Sequence, residues 1–205
     1  MHWIDPECLP ESKGTFERFI LNPHGEIDGL ILNCGKDKAV LVHIPPHLSA
    51  EIEAAVRPGE AVRVRGVRPR GTDMIAAVAF FAADGRAILD NGPGDKHHKD
   101  DRLNAPKKPA AQKLQVAGTV RLSLHTPKGE LRGAVLRDGS TVRIGPKEAQ
   151  RFAKLLQPGA SVAVRGDGIE TPHGRVIESR EIGCDLAHLE PTKGPKHEKH
   201  RASAA

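Results

Sequence analysis

The chain has 205 residues, a formal net charge of +5, 38% hydrophobic residues, only 3% aromatic residues and no tyrosine. This length allows one domain or two small ones, and no stretch approaches the roughly 20 apolar residues that cross a bilayer. Because the amino terminus also lacks a basic segment followed by an apolar one, we expect a cytoplasmic protein with no membrane partner. Cys8, Cys34 and Cys184 have unrelated spacings, which predicts reduced thiols, and neither a disulfide framework nor a zinc cluster.

An internal repeat determines the predicted architecture. The segment GTFERFILNPHGEIDGLIL, which begins at Gly14, aligns with GTVRLSLHTPKGELRGAVL, which begins at Gly118, at an offset of 104. Further on the offset is 100, so that RPGEAVRVRG from Arg57 aligns with QPGASVAVRG from Gln157. A length change of four residues in one loop explains the difference. The repeat predicts two domains, residues 14–90 and residues 114–186.

The first copy begins with a predicted β-hairpin. Residues 14–21 are rich in β-branched and aromatic types, and Asn22-Pro23-His24-Gly25 suits a type I turn because proline presets the dihedral at its second position. A second strand and a longer loop follow. In the second copy Asp138-Gly139, a strong hairpin signal, joins the corresponding strands at 131–136 and 140–144.

A helix and two further strands complete each copy. Apolar residues at helical spacing follow Pro46 in the first copy and Pro146 in the second, and Pro-Gly ends both helices. The fourth strand of the first copy, residues 60–67, alternates strictly, with valines inward and arginines outward. The last strand covers about 74–81 in the first copy and about 175–181 in the second.

Five strands with a helix between the third and the fourth are the order of an OB-fold Greek-key barrel. We therefore predict an all-β protein of two tandem five-stranded OB-fold barrels. The pattern G-x-[FV]-x(6)-P-x-G-E-[IL]-x-G-x-[IV]-L, then V-x-I-x-P, then P-G-x-x-V-x-V-R-G, resembles bacterial tandem OB-fold proteins, which are described as nucleic-acid-binding OB-fold domains. The resemblance covers roughly residues 14–88 and 115–184. It implies the fold, and because OB-folds perform many tasks, the function has to be argued from the site.

Three segments lie outside the predicted barrels. Residues 1–13 form an N-terminal extension with Trp3, which we expect to pack on the first barrel or to be loosely ordered. Residues 91–113 are rich in Gly, Pro and charges of both signs, which is typical of a flexible linker, and residues 187–205 predict a basic disordered tail. Residues 91–113 and 191–205 each carry a net charge of +3, so the basic character belongs largely to these segments.

No motif predicts catalysis, a cofactor or a specific metal site. The chain has no G-x-S-x-G, no phosphate-binding Gly-rich loop with Lys, no HExxH and no Cys-x-x-Cys. Glu26 and Glu130 recur in both copies, but a carboxylate after a turn is more often a structural acceptor than a general base. Histidines of the linker and the tail lack fixed second partners and predict only incidental metal binding. We expect a protein that is not an enzyme.

OB-folds usually bind oligonucleotides across strands two and three, between the loop that joins strands one and two and the loop that joins strands four and five. In the first copy the alternation places Val42 inward and Leu41 and His43 outward. The remaining candidates on these strands and in the first turns are His24, Lys128 and Arg143.

The loop between the fourth and fifth strands of the first copy is the strongest candidate for phosphate contact. Four arginines fall within eight residues: Arg63, Arg65, Arg68 and Arg70. Guanidinium groups bind phosphate in a bidentate manner and also stack on bases. The alternative is that they face solvent or pair with Glu60 and Asp73. The equivalent loop of the second copy, residues 167–174, is acidic. Weak, salt-sensitive binding of single-stranded DNA or RNA through the first barrel is therefore predicted.

Scarce aromatic residues keep other hypotheses open, because single-strand binders commonly stack bases on aromatic side chains. Phe16, Phe80 and Phe152 are predicted core residues, which leaves Phe19 and Phe81 for stacking. This scarcity favours the main alternative, a protein-interaction or scaffold module without nucleic-acid binding. A small-ligand or oligosaccharide site in one barrel mouth is the third hypothesis.

Overall fold

The computed structural model describes residues 5–35, 38–92 and 110–193, which form two β-barrels, one from each copy of the repeat. The elements of the first barrel are β1 Glu11–Leu21, β2 Ile27–Asn33, β3 Ala39–His43, α1 Ser49–Ala55, β4 Ala61–Val67, β5 Met74–Phe81 and β6 Ala87–Leu89. Those of the second are β7 Gln112–His125, β8 Leu131–Leu136, β9 Thr141–Arg143, α2 Pro146–Arg151, β10 Ser161–Thr171, β11 Gly174–Gly183 and β12 Leu189–Pro191. None of the helices in these ranges has the length and apolar character that crossing a membrane requires.

Each barrel closes through a parallel pairing between its third and fifth strands. In the first, β1 pairs with β2 and β4, β2 pairs with β3, β4 pairs with β5, and β3 runs parallel to β5 with Leu41 opposite Met74. The second barrel repeats this circuit with β9 parallel to β11. A closed five-stranded circuit with a helix between the third and fourth strands is the OB-fold, so the predicted fold is confirmed.

The core of each barrel is built from the inward side of the alternating strands. Val40, Val42 and Ile44 of the first barrel are fully buried, as the alternation predicts. Phe16, Phe80 and Phe152 are buried as well. A buried side chain of this size stabilises the fold by about 1.5–3 kcal/mol.

Four boundaries differ from the prediction. Strand β1 begins at Glu11, because Glu11 to Thr15 pair with β4, and β7 begins at Gln112. Strand β12 lies inside the predicted tail and pairs with β11. The predicted second-copy loop at 167–174 is wrong, because β10 continues to Thr171. Its glycines belong to the strand: a Cβ on Gly168 would lie 2.8 Å from the carbonyl oxygen of Val176. Trp3, the linker residues 93–109 and the tail beyond residue 193 lie outside the described residues.

One glycine that recurs in both copies is required where the second strand meets the third. A Cβ on Gly133 would lie 1.9 Å from the carbonyl oxygen of Val142, and one on Gly29 would lie 2.7 Å from that of Val42. Gly133 also has a φ of +146°, which side chains of L-residues rarely adopt. Both β2–β3 and β8–β9 therefore approach each other at a point that only glycine fits.

Ile169 and Val176 of the second barrel join the core of the first, and the outer faces of the two barrels also pack against each other through a separate apolar cluster. Its buried members are Ile20, Ile31, Leu41, Met74, Leu124 and Val135. Ile20 and Leu124 are equivalent in the repeat, as are Ile31 and Val135, so the same face of each barrel meets the other. The loops also meet reciprocally, since Gly25 of the β1–β2 turn faces Ile169 of β10 while Gly129 of the β7–β8 turn faces the β4–β5 loop. This is the pattern of a twofold, isologous contact within a single chain.

Candidate nucleic-acid interface

Four arginines lie on β4 of the first barrel or directly after it. Arg63 and Arg65 project from β4, on the face opposite the buried valines, while Arg68 and Arg70 lie in or next to the β4–β5 loop. Arg68 donates from Nη2 to the Ser12 hydroxyl at 3.2 Å. We call Arg63, Arg65, Arg68 and Arg70 the arginine strip.

Glu11 offsets part of this charge. Its Oε2 lies 3.4 Å from Nη1 of Arg63 and 3.4 Å from Nε of Arg65, while Oε1 lies 3.3 Å from Nζ of Lys13. The hydrogen bond from Lys13 lowers the pKa of the Glu11 carboxyl, and the two arginines add to this effect. One carboxylate thus serves three cations, and exposed ion pairs of this kind contribute little stability. The strip keeps a net positive charge.

The sequence offered Glu60 and Asp73 as alternative partners of the arginines, but the ion pairs of Arg63 and Arg65 among the described residues are with Glu11. Glu60 instead accepts a hydrogen bond from the backbone N–H of Arg57 at 2.8 Å. Glu11 escaped notice because it was placed in the N-terminal extension, outside the barrel. The one available signal was that Glu11, Ser12 and Lys13 run into the first strand without a turn residue between them.

Both candidates for base stacking already contact other side chains through their rings. The guanidinium carbon of Arg63 lies 4.9 Å from the centroid of the half-buried Phe81 ring. Phe19 is buried, with the His173 ring edge-on to it at 5.1 Å between centroids. The exposed chemistry of this side of the barrel is therefore cationic, with an aromatic ring beneath one arginine.

Two further residues predicted from the sequence, Lys128 and His24, lie in turns on different parts of the molecule. Lys128 is exposed in the β7–β8 turn, whose Gly129 faces Pro69, Thr72 and the carbonyl oxygen of Arg70. His24 occupies the β1–β2 turn, next to a cleft of about 380 Å³ formed with the β10–β11 hairpin. The turn that carries Lys128 thus lies against the β4–β5 loop, which carries Arg68 and Arg70.

His43 and Arg143 lie in the contact between the barrels. Arg143 donates from Nη2 to Asp28 Oδ2 at 2.7 Å and to the carbonyl oxygen of Leu21 at 2.7 Å. Asp28 also lies 3.7 Å from Nδ1 of His43. Burial lowers the pKa of Arg143 and of His43, although Asp28 opposes both shifts. These side chains connect β2, β3 and β9, and the second barrel covers the face that OB-folds usually offer to oligonucleotides.

Acidification is expected to weaken this contact. Burial holds the pKa of His43 below its ordinary value of 6.5 while Arg143 opposes a second positive charge, so an unfolded His43 takes up a proton at a higher pH than the packed one. Stability must then fall as the pH drops through about 6.5 toward the pKa of the packed histidine, by about 1.4 kcal/mol for each unit between the two pKa values. In His43→Gln, thermal unfolding measured near pH 7 and near pH 5 should show a smaller loss.

The exposed His24 provides the control for that experiment. His24→Gln should lose as much stability on acidification as the wild type. An equal loss in His43→Gln would contradict this role of His43.

A charged pair marks the centre of the reciprocal contact. Arg121 donates to both oxygens of Glu17, from Nη2 to Oε2 at 2.6 Å and from Nη1 to Oε1. The two residues are 104 positions apart, which is the offset of the repeat, so Glu17 pairs with its own counterpart. This hydrogen bond lowers the pKa of Glu17 and raises that of Arg121.

A cleft of about 540 Å³ also opens where β1, the end of α1 and the β10–β11 turn meet. Arg18, Phe19 and Arg57 line it, together with His173, whose Nε2 lies 2.8 Å from Glu53 Oε1. Its charges are of both signs, so it does not favour an anionic ligand as the arginine strip does.

No protein-family model and no curated protein matches the chain. Among solved structures, it is similar to the wild-type single-stranded DNA binding protein from Thermus aquaticus, with 17% identity over 90% of this chain and 93% of that chain and a TM-score of 0.26. A deletion mutant of that protein matches with 14% identity over 89% of this chain and 96% of that chain and a TM-score of 0.27. The fold is assigned from the chain's own strand pairing, which is that of a tandem OB-fold protein.

Proposed function

We propose that this chain is a non-enzymatic nucleic-acid-binding protein that binds single-stranded DNA or RNA with weak sequence preference through the arginine strip of the first barrel. The observation that carries the proposal is the charge balance of the strip. Among the described residues, Glu11 is the one carboxylate in an ion pair with its arginines, and Arg68 and Arg70 form no ion pair at all. Cations of this density attract phosphate groups through a sequence-independent, salt-sensitive interaction.

The covered β2–β3 face determines the path that we propose for the strand. Because the second barrel occupies that face, the nucleic acid runs along the outer side of β4 and the β4–β5 loop toward Lys128. Arg63 and Arg65 contact phosphates early on this path, and Arg68 and Arg70 do so later. With the rings of Phe19 and Phe81 engaged, base stacking contributes little, which accounts for weak sequence preference.

Charge reversal of the loop tests this proposal. We expect Arg68→Glu with Arg70→Glu to weaken binding of a labelled single-stranded oligonucleotide at least about tenfold at low salt. The slope of log affinity against log salt should also become shallower, by about 0.7 for each phosphate group that the variant no longer neutralises. Fluorescence anisotropy with DNA and RNA oligonucleotides at several salt concentrations measures both quantities.

Lys147→Glu with Lys154→Glu is the matched control, because it changes the net charge equally but lies on the second barrel, in α2 and directly after it. This control should keep most of the affinity. If neither DNA nor RNA binds at low salt, or if both double variants behave alike, the proposal is overturned.

The alternative function is a protein-interaction or scaffold module, and one observation favours it. The face that OB-folds use for oligonucleotides makes a protein contact in this chain, through Ile31 and Leu41. A protein partner that resists nuclease treatment, together with no affinity for oligonucleotides, would decide for this alternative. For either function we propose the cytoplasm, where the free thiols of Cys8, Cys34 and Cys184 stay reduced.

A further inference from the structure

The turn between β11 and β12 brings three different metal-ligating groups together. Cys184, Asp185 and His188 each offer one ligand atom, and these atoms all lie within 4.8 Å of one another. Nδ1 of His188 lies 2.8 Å from Asp185 Oδ1 and 2.9 Å from Oδ2, and the Cys184 thiol lies 3.6 Å from Oδ2. No other group of three such residues in the described ranges comes this close.

The backbone of the hairpin holds this turn in place. Gly183 pairs with Leu189, and a Cβ on Gly183 would lie 1.8 Å from the carbonyl oxygen of His188, so glycine permits the tight approach. Asp185 Oδ1 accepts hydrogen bonds from the backbone N–H groups of Ala187 at 2.8 Å and His188 at 3.0 Å. The positions of the ligating side chains therefore follow from strand pairing and not only from their own contacts.

The three groups have the chemistry of a zinc site. Thiolate sulfur, imidazole nitrogen and carboxylate oxygen are the ligands that Zn²⁺ takes in tetrahedral geometry, whereas Mg²⁺ and Ca²⁺ prefer oxygen alone. Tetrahedral Zn²⁺ at its usual bond lengths places ligand atoms about 3.3–3.8 Å apart. The separations of 2.8–3.6 Å that involve Asp185, and the limit of 4.8 Å for the whole group, lie close to this range, so side-chain rotations bring the three atoms onto one ion.

We propose that Cys184, Asp185 and His188 bind one Zn²⁺ ion, with water in the fourth position. The Cys184 thiol releases its proton to solvent and binds as thiolate. His188 binds through the Nδ1 lone pair, with its ring proton on Nε2. All three side chains are exposed, so the ion reaches them from solvent. Since the thiol must lose its proton, the affinity rises with pH.

Cobalt substitution tests this site, because Co²⁺ bound to a thiolate shows a sulfur-to-metal charge-transfer band together with the visible bands of tetrahedral Co²⁺. The reduced full-length chain should show both upon addition of one equivalent of Co²⁺, and Zn²⁺ should displace them. Cys184→Ser should abolish the charge-transfer band. His188→Ala removes a direct ligand and should lower the affinity for Co²⁺ and Zn²⁺ strongly. The loss should be at least as large as the roughly 10- to 100-fold that follows removal of an outer-shell partner.

Two variants control for other thiols and histidines. Cys34→Ser should leave the spectrum unchanged, as should His47→Ala, which removes a histidine that is paired with Asp90 at 2.9 Å and is not part of the group at the β11–β12 turn. Absence of the charge-transfer band in the wild type, or a band that survives Cys184→Ser, would overturn the proposal. The readout is spectroscopic and independent of oligonucleotide binding, so the two proposals can fail separately.

Discussion

Leu124→Asp is expected to separate the two barrels. Leu124 is almost fully buried in the apolar contact between them, so an aspartate there would be a buried charge without a partner. The penalty for such an ion is several kcal/mol, which exceeds what a contact of this kind can offset. Most of each core comes from the barrel's own strands, although Ile169 and Val176 of the second barrel join the core of the first, so the barrels should stay folded and move apart. Small-angle scattering should show a larger radius of gyration, and calorimetry should show two unfolding transitions in place of one.

Leu89→Asp supplies the comparison. Leu89 is an exposed leucine of β6, and the same substitution there should change the free energy of unfolding by less than about 0.5 kcal/mol and leave the scattering unchanged. If Leu124→Asp kept the radius of gyration and the single transition of the wild type, burial of Leu124 would not be what holds the two barrels together.

Gly133→Ala is expected to destabilise the second barrel by about 3 kcal/mol or more. The new methyl group would collide with the carbonyl oxygen of Val142, and the φ of +146° adds backbone strain of about 1–3 kcal/mol. Relief of the collision requires β8 and β9 to part, which costs their hydrogen bonds. Denaturant unfolding of the variant measures the loss of stability, which should appear in the second barrel.

Gly159→Ala is the control that distinguishes the loss of stability caused by the steric collision from the loss caused by backbone strain. Gly159 also has a positive φ, of +88°, but nothing lies within 4 Å of a Cβ placed there, so its substitution should cost only about 1–2 kcal/mol. Equal losses of stability in the two variants would show that the close approach of β8 and β9 does not determine the need for glycine.

The repeat and its alternating strands were sufficient to predict the two barrels and most of their core. Inward and outward positions follow from a period of two, which is local information, and the duplicated turn residues locate the hairpins. The predicted loop at 167–174 was wrong because the strand pairing of β10 with β11 is not local information. Gly168 suggests a loop in the sequence, but the need for it arises from the neighbouring β11, which no local pattern reveals.

One sequence feature indicates the contact between the barrels but does not fit the alternating pattern of the strands. Leu30, Ile31 and Leu32 are consecutive and all fully buried, and such a run indicates a strand that is covered on both faces. What covers the outer face is a segment about 100 residues away, with Leu124 and Val135. Only tertiary structure identifies that partner, and it removes His43 and Arg143 from the surface on which the sequence alone would place them.

The Glu17–Arg121 pair makes the contact between the barrels specific for unlike partners. At the centre of a twofold contact a residue meets its own equivalent, so two first barrels associated in this geometry would set Glu17 against Glu17, and two second barrels would set Arg121 against Arg121. Both homodimers would bring like charges together, whereas the single chain joins opposite ones. The charge pair therefore favours association of a first barrel with a second barrel and disfavours association of two like barrels from different chains.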